Sequence, residues 1–348
     1  MRPLLYSSDS PYLCFAAEYT AAAKKLSNGP LFFTWYTPPC VMIGKYQNAH
    51  EEINPEYISE NGILLVRRFS GGGTIFTDNG TLQYSVIMPS AGSENDTSSL
   101  FSDFIRPVTE FLKAYGVPAE FTGRNDITAN GKKISGNAQY RIGGCTVHHG
   151  SILYDCDTEM MEKATVFDRY KIVSKGIKSN RERVLNVRPF VKDKLPDIKS
   201  FKSALDKWLT NVDNNGNISG FSFSKEDLSD IERTANELFI GENNVFSRSG
   251  SYTLSTDMKT PSGKAHFSFD VKEDVIAKAQ ITGNFFANGD VSLIENALEG
   301  AAADQESVSK ALENVPGSSF PVGFSRGDMI GTICDCFKKY KIKDGNLS

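Results

Sequence analysis

The feature that most constrains this chain is the passage from the apolar residues Ile63 to Val66 into Arg67-Arg68-Phe69-Ser70-Gly71-Gly72-Gly73-Thr74-Ile75-Phe76-Thr77-Asp78. A buried strand is predicted to empty into three glycines flanked by arginine and hydroxyls. Successive glycines let backbone N–H groups turn toward a ligand and approach it without Cβ interference, and arginine adds a fork of donors matched to carboxylate or phosphate. An ordinary glycine turn is the plainer alternative. The adjoining Arg67-Arg68 and Ser70 favour a loop that holds an anion.

The common nucleotide fingerprints do not fit this loop. A Walker loop needs Gly-Lys-Ser/Thr after four variable residues, whereas Thr74-Ile75-Phe76 follow here. The third glycine of a dinucleotide-binding turn would fall on Phe76, and Thr81 to Met88 reads as another strand rather than a crossover helix.

With 348 residues, 40% hydrophobic, and a formal net charge of -4, the chain is long enough for a sizeable core and for two domains. The acidic balance argues against sequence-independent nucleic-acid binding, which runs on clustered positive charge. No apolar run approaches membrane-spanning length, and Met1 to Ala17 reads as neither secretory signal nor transit peptide. The six cysteines, Cys14, Cys40, Cys145, Cys156, Cys334 and Cys336, contain no C-x-x-C pair, so disulfides and a zinc site are not expected. A cytoplasmic, monomeric protein is the expectation, without nucleic-acid or membrane partners. Cys334 and Cys336 sit in a helical pattern with Met329, Ile330, Ile333 and Phe337.

Further along, helices are predicted over Tyr12 to Lys25, Leu100 to Tyr115 with Gly116 as the stop, and Ser224 to Leu238. Strands are predicted over Leu31 to Tyr36, Cys40 to Ile43, Phe267 to Val271 and Val275 to Ile281, and a helical pattern from Val291 to Leu298. Gly241 to Ser262, rich in Ser, Asn, Gly and Thr, reads as a connection. Strands and helices mix without a βαβ rhythm. The fold class is therefore α+β, with a domain over 1–245 and a smaller α+β domain over 246–348.

Asn130-Gly131 between alternating segments is a strong hairpin signal. A two-residue turn would pair Ala129 with Lys132, Thr128 with Lys133, Ile127 with Ile134 and Asp126 with Ser135. Both isoleucines then face the core, and Asp126, Thr128, Lys133 and Ser135 share the other face. On its own such a carboxylate–ammonium pair reads as a surface ion pair. In Val147-His148-His149-Gly150-Ser151-Ile152 the adjacent histidines of a strand point to opposite faces, so they cannot chelate one metal together. Gly150 allows close approach of ligand or backbone.

Taken together, these stretches resemble the lipoate–protein ligase family in content and order. The matching pieces are Tyr12 to Glu18, Ile43-Gly44-Lys45-Tyr46-Gln47-Asn48, Arg67 to Asp78 and Gly123-Arg124-Asn125-Asp126. Lys132-Lys133-Ile134-Ser135-Gly136-Asn137-Ala138, His148 to Ser151 and Lys175-Gly176-Ile177-Lys178-Ser179 complete the set. Ala279 to Phe286 resembles the accessory domain of ATP-using members. The resemblance implies a mixed-sheet catalytic domain of the biotin/lipoyl ligase type. It also implies two steps: lipoate and ATP give lipoyl-AMP, and an acceptor lysine then displaces AMP. ATP and Mg²⁺ are the implied cofactors. The implied partners are lipoyl domains, such as the E2 subunits of 2-oxoacid dehydrogenases or the glycine cleavage H protein.

By the same resemblance Lys133 is the catalytic residue, against the carboxylate and the α-phosphate. Arg68, Ser70, Gly71, Gly72 and Gly73 would hold the acyl-phosphate end, and Thr74, Ile75, Phe76 and Thr77 would border the nucleotide. Asp126 would carry Mg²⁺ or orient Lys133. Ser135, Gly136, Ala138 and Gly150 fall in the implied substrate-binding set, and His149 would line the apolar slot for the lipoyl arm. Thr77 stands where a histidine is common, and Cys14 where asparagine is common. Alternatives are an acyltransferase working through a Cys145 thioester, a biotin ligase, and a binding module that has kept the pocket. Residues 171–188 carry Lys171, Lys175, Lys178, Arg181, Arg183 and Arg188 against Glu182 alone, a basic stretch that would steer an acidic acceptor domain.

Overall fold

The computed structural model describes residues 1–90, 97–122, 125–166, 183–210 and 219–343. Gly123, Arg124, the Lys175 to Ser179 match and the basic stretch as far as Glu182 lie outside the described residues. The chain divides into two compact units. The first holds Met1–Met42, Glu51–Arg68 and Ile75–Val245; the second holds Ile43–His50, Phe69–Thr74 and Phe246–Ser348.

The first unit is built on a seven-stranded sheet. Its strands are β1 (Arg2–Pro3), β2 (Leu31–Trp35), β6 (Thr81–Pro89), β7 (Ala119–Phe121), β8 (Asp126–Ala129), β9 (Lys132–Ile142) and β10 (Cys145–Leu153). They lie in the order β1-β2-β6-β10-β9-β8-β7. β1 pairs parallel with β2 and the others pair antiparallel, so the sheet is mixed. A second sheet, ordered β4-β3-β5, joins β3 (Cys40–Ile43), β4 (Leu64–Arg67) and β5 (Ile75–Thr77), the strands on either side of the glycine run.

Helix α1 (Pro11–Ala23) starts where Ser10 accepts a hydrogen bond from the Leu13 amide and Pro11 fills the first turn, whose N–H has no helical acceptor. It covers one face of the large sheet, where Ala21, Ala22, Leu31, Ile87, Cys145 and Val147 pack together. The opposite face carries the larger core. There Phe104, Ile105, Phe111 and Leu112 of helix α2 (Thr97–Ala114) and Phe201, Leu205 and Leu209 of helix α3 (Ile198–Leu209) meet Leu82, Tyr84, Val86, Ile127, Ile134 and Ile152. Each fully buried side chain of this size contributes about 1.5–3 kcal/mol. Gly116, at φ +93°, stops α2 in the left-handed conformation that favours glycine. Helix α4 (Lys225–Thr234) has Ser224 and Asp227 in a reciprocal capping box and runs on into a π-helical turn at Ala235–Phe239.

In the second unit an antiparallel sheet, ordered β11-β12-β13, is formed by β11 (Leu254–Thr260), β12 (Gly263–Lys272) and β13 (Val275–Gly283). Ala265, Phe267, Phe269, Ile276 and Ile281 form its apolar face, packed on the helices Ser292–Leu298, Gln305–Leu312 and Arg326–Lys343. Cys334 and Cys336 lie in the last of these, as the spacing predicted. The stretch Gly241 to Ser262, read from composition as a connection, instead holds a short helix, Glu242–Val245, and β11. Along β11 half-buried Leu254, Thr256 and Met258 alternate with exposed Ser255, Asp257 and Lys259, a strand period too weakly apolar to stand out among serines and threonines. Tyr46 stacks on Phe285 with ring centroids 4.8 Å apart, and its carbonyl accepts from the Gly283 amide at 2.9 Å, so segment 43–50 caps the end of β13.

Candidate active site

Asn130 and Gly131, both at positive φ, turn β8 into β9 as their chemistry predicts. Ala129 pairs with Lys132 and Thr128 with Lys133. Beyond that the register slips by a β-bulge: Ile127 faces Ser135, and Asp126 faces Gly136. The predicted Asp126–Ser135 pairing is corrected accordingly. The extra residue is Ile134, which joins Ile127 in the core, and fully buried Ser135 stands on the Ile127 face, away from Lys133. There the Asn137 side-chain amide donates to its hydroxyl at 3.4 Å.

The bulge places a glycine where Lys133 needs one. A Cβ on Gly136 would stand 2.7 Å from Lys133 Nζ and 2.9 Å from its Cε, so the lysine stem crosses space that any other residue would fill. The ammonium ends 2.7 Å from Asp126 Oδ1, with the side chains 32% and 30% exposed. That oxygen is buried and makes no aligned hydrogen bond, so the contact is one of charge on charge. At this exposure an ion pair is worth about 0–1 kcal/mol, too little to hold the fold but enough to fix the direction of an ammonium. The Lys133 carbonyl accepts from the Leu185 amide at 2.9 Å, which pins the same residue from its outer side.

On the same sheet face, two residues along from Gly136, Ala138 pairs with His149 and His149 with Ser85. The buried carboxylate of Glu18, on α1, gathers these strands. It accepts from Ser85 Oγ at 2.6 Å and from the His149 Nδ1–H at 3.0 and 3.2 Å. Burial, then the charge and hydrogen bond of Glu18, hold the Tyr140 phenol well above its ordinary range. Phe15 meets Trp35 edge-on at 5.2 Å and His149 at 5.8 Å, and stacks on Phe239 at 5.8 Å, so aromatic walls surround the histidine. Glu18 was not among the predicted site residues. Its signal in the sequence is a lone acid in the run Leu13-Cys14-Phe15-Ala16-Ala17, a helix face that should carry no charge unless it is paired.

His148 and His149 point to opposite faces, as the strand period requires. His148 is fully buried among Asn137 Oδ1 (3.1 Å), Gln139 Nε2 (3.1 Å) and the Phe104 ring (4.9 Å). Burial, aided by neighbouring His149, pushes its pKa well below the usual histidine range. Gly150 belongs to this side too: a Cβ there would meet Tyr84 Cζ at 2.4 Å and Asn137 Oδ1 at 2.5 Å. It makes room for the Tyr84–Asn137 hydrogen bond on the face away from Lys133.

Arg68 closes β4. Its Nη1 donates to the Met42 carbonyl at 2.9 Å, and burial, then Arg67, lowers its pKa to about 10. Arg67 binds the carbonyls of Asn244 and Val245, so the paired arginines do separate work. Ile75, Phe76 and Thr77 lie in β5 against Met42, Val41 and Cys40. Thr77 Oγ1 is 3.4 Å from Thr37 Oγ1.

Ser70 to Thr74 belong to the second unit. The Ser70 carbonyl accepts from the Lys45 amide at 2.9 Å, and the Gly72 N–H donates to the Phe285 carbonyl at 3.0 Å. A Cβ on Gly71 would stand 2.4 Å from Phe285 O, and one on Gly44 would stand 2.1 Å from Gly72 O. Gln47 Oε1 accepts from the Gly44 amide at 2.8 Å and from Thr74 Oγ1 at 2.9 Å. These glycines therefore serve close backbone packing, and the Gly72 N–H, expected to face a ligand, is bonded to Phe285.

Residues 10–210 match the family model of the lipoyl protein ligase A/B catalytic domain, and residues 249–333 that of the bacterial lipoate protein ligase C-terminus. The chain is 38% identical over 277 residues to lipoate-protein ligase LplJ of Bacillus subtilis, covering 80% of this chain and 82% of that protein. The chain belongs to the lipoate–protein ligase family. Its fold is that of the family's solved members. A Plasmodium falciparum LipL1 structure in complex with lipoate superposes with a TM-score of 0.74 at 20% identity, covering 96% of this chain and 98% of that one. A lipoate-protein ligase A structure bound with ATP superposes with a TM-score of 0.59 at 24% identity, covering 71% and 98%.

Within this family the thioester alternative finds no support at Cys145. The thiol is buried beside Ala21, Ala22, Leu31, Ile87 and Val147, and burial raises its pKa, whereas a thiolate nucleophile needs a lowered one. Among the described residues no group of three His, Cys, Asp or Glu is placed to hold a metal ion, and no helix is long and apolar enough to cross a membrane.

Proposed function

We propose that this family member is an ATP-dependent lipoate–protein ligase that makes lipoyl-AMP and passes the lipoyl group to a lysine of acceptor lipoyl domains. The observation that carries the mechanism is the Lys133 ammonium, aimed by Asp126 over the bare backbone of Gly136. In the first step a lipoate carboxylate oxygen bonds to the α-phosphorus of ATP as the bond to pyrophosphate breaks. In the second, the acceptor amine bonds to the acyl carbon, loses a proton, and AMP departs. Negative charge gathers on oxygens beside the acyl phosphate in both, where a fixed ammonium stabilises it without reorganising. The buried guanidinium of Arg68 supplies a second positive charge. His149, Ala138 and the aromatic residues around Glu18 line the slot for the lipoyl arm.

Ile75, Phe76 and Thr77 border the nucleotide. Asp126 is a single carboxylate already set against Lys133, and among the described residues no group of three acids, histidines or cysteines is placed to form a metal cage. Asp126 would at most lie beside a Mg²⁺ brought in with ATP, which would neutralise phosphate charge. As functional parts, 1–245 is the catalytic domain and 246–348 the accessory domain. E2 lipoyl domains or the glycine cleavage H protein are the acceptors, and the cytoplasm is the compartment.

The test is pyrophosphate release by the purified chain with ATP, Mg²⁺ and lipoate, and the mass of an added lipoyl domain. Release that needs lipoate, does not occur with biotin, and is followed by acceptor lipoylation is expected. Absence of lipoate-dependent release would sink the reading.

A further inference from the structure

We infer that Gln83 is a specificity-determining residue whose side-chain amide donates to a dithiolane sulfur, and so favours lipoate over a straight-chain acid such as octanoate. The inference deepens the proposed ligase reading and rests on it.

Trp35, Gln83, Ser151, Gly136 and Asp126 are consecutive partners on β2, β6, β10, β9 and β8, one row straight across the sheet. Directly opposed residues of antiparallel strands place their side chains on one face. Here it is the α1 face, since Phe15 of α1 packs on Trp35, and Ser85 and His149, two residues along their strands and so on the same face, bond to Glu18. The Lys133 ammonium lies over Gly136 near one end of the row. Strands are spaced about 4.8 Å apart, which puts Gln83 about 10 Å from Gly136. That is the reach of the extended arm between a lipoate carboxylate and its ring sulfurs.

Gln83 is 4% exposed, and its Nε2 has no hydrogen-bond partner. A buried amide without an acceptor costs stability that leucine or methionine at the same place would not, so the residue needs another reason to be there. At that distance from the carboxylate, the only acceptors an acid of this class carries are the two sulfurs of a dithiolane. Sulfur is a weak acceptor, but it meets a donor with no other partner. The methylenes of octanoate leave that donor orphaned, and a site built around a donor rejects the analogue that cannot accept.

The experiment compares kcat/KM for ATP-dependent pyrophosphate release with lipoate and with octanoate in wild type, Gln83→Leu and Gln83→Met, with folding followed by thermal melting. The methionine variant keeps length without the donor, should the leucine variant fail to fold. A fall in the lipoate-to-octanoate ratio of about fivefold or more, carried by KM for lipoate, is expected. An unchanged ratio, or equal losses on both acids, overturns the assignment. Wild-type protein that releases pyrophosphate with neither acid overturns the ligase reading itself, a separate outcome.

Discussion

Lys133 and Gly136 share one small volume: the ammonium stands 2.7 Å from where a Cβ on the glycine would be. The glycine is needed for the lysine's path rather than for its own backbone, since it has none of the positive φ values seen at Gly131 or Gly143. A methyl there meets only the far end of a flexible side chain. Gly136→Ala should therefore fold with a melting temperature near that of wild type while lowering kcat by about ten- to a hundredfold, because a displacement of about 1 Å at a charged group is costly in the transition state. Parallel melting and turnover measurements separate the two effects, and a destabilised but fully active variant would contradict the assignment.

Lys133→Ala should lower adenylate formation by about a hundred- to a thousandfold with the fold intact, as expected for a preorganised charge beside the reacting phosphate. Lys132, exposed at the hairpin turn, is its control. Lys132→Ala should stay within about twofold of wild type, and equal damage from the two substitutions would show that the strand faces have been misassigned.

Cys145 offers a check of the chemical route. If the acyl group travels as an adenylate, Cys145→Ser retains most lipoylation, and the wild-type enzyme accumulates no hydroxylamine-sensitive acyl adduct when acceptor is withheld. Intact-protein mass spectrometry reads the adduct directly. An adduct that the serine variant lacks would move the mechanism to a thioester.

His148 predicts how stability responds to acid. Its folded pKa lies well below its ordinary value of about 6.5, so below about pH 6.5 the unfolded chain binds a proton that the folded chain refuses. This group contributes a stability that rises with pH and levels off above about 6.5, with a slope of up to about 1.4 kcal/mol per pH unit on the acid side. Melting temperatures of wild type and His148→Gln between about pH 7.5 and 5.5 test this linkage. The variant should show the shallower slope, and equal slopes would assign the acid sensitivity elsewhere.

The sequence by itself determined the features that depend on a few neighbouring residues. Asn130-Gly131 specifies a turn through its positive φ values, the period of two sends His148 and His149 to opposite faces, and the ordered motifs identify the family. The glycine run was legible as a break in a strand. That Gly71 and Gly72 lie against Phe285 was not, because 285 is remote from 72 along the chain and the contact has no local pattern.

Only the tertiary structure decided the rest. Whether Asp126 faces Ser135 or Gly136 turns on one bulged residue, and that is settled by Ile127 and Ile134 filling the core behind the hairpin. Glu18 and His149 meet across 131 positions of sequence because α1 covers the strand that carries the histidine. Gln83 reads locally as one more polar residue of a strand, and its buried amide has meaning only in a row across five strands that passes under the Lys133 ammonium and ends at Asp126. Backbone preference is set by adjacent residues and can be read in order, whereas the partner of a buried charge is set by which distant segments the core brings together.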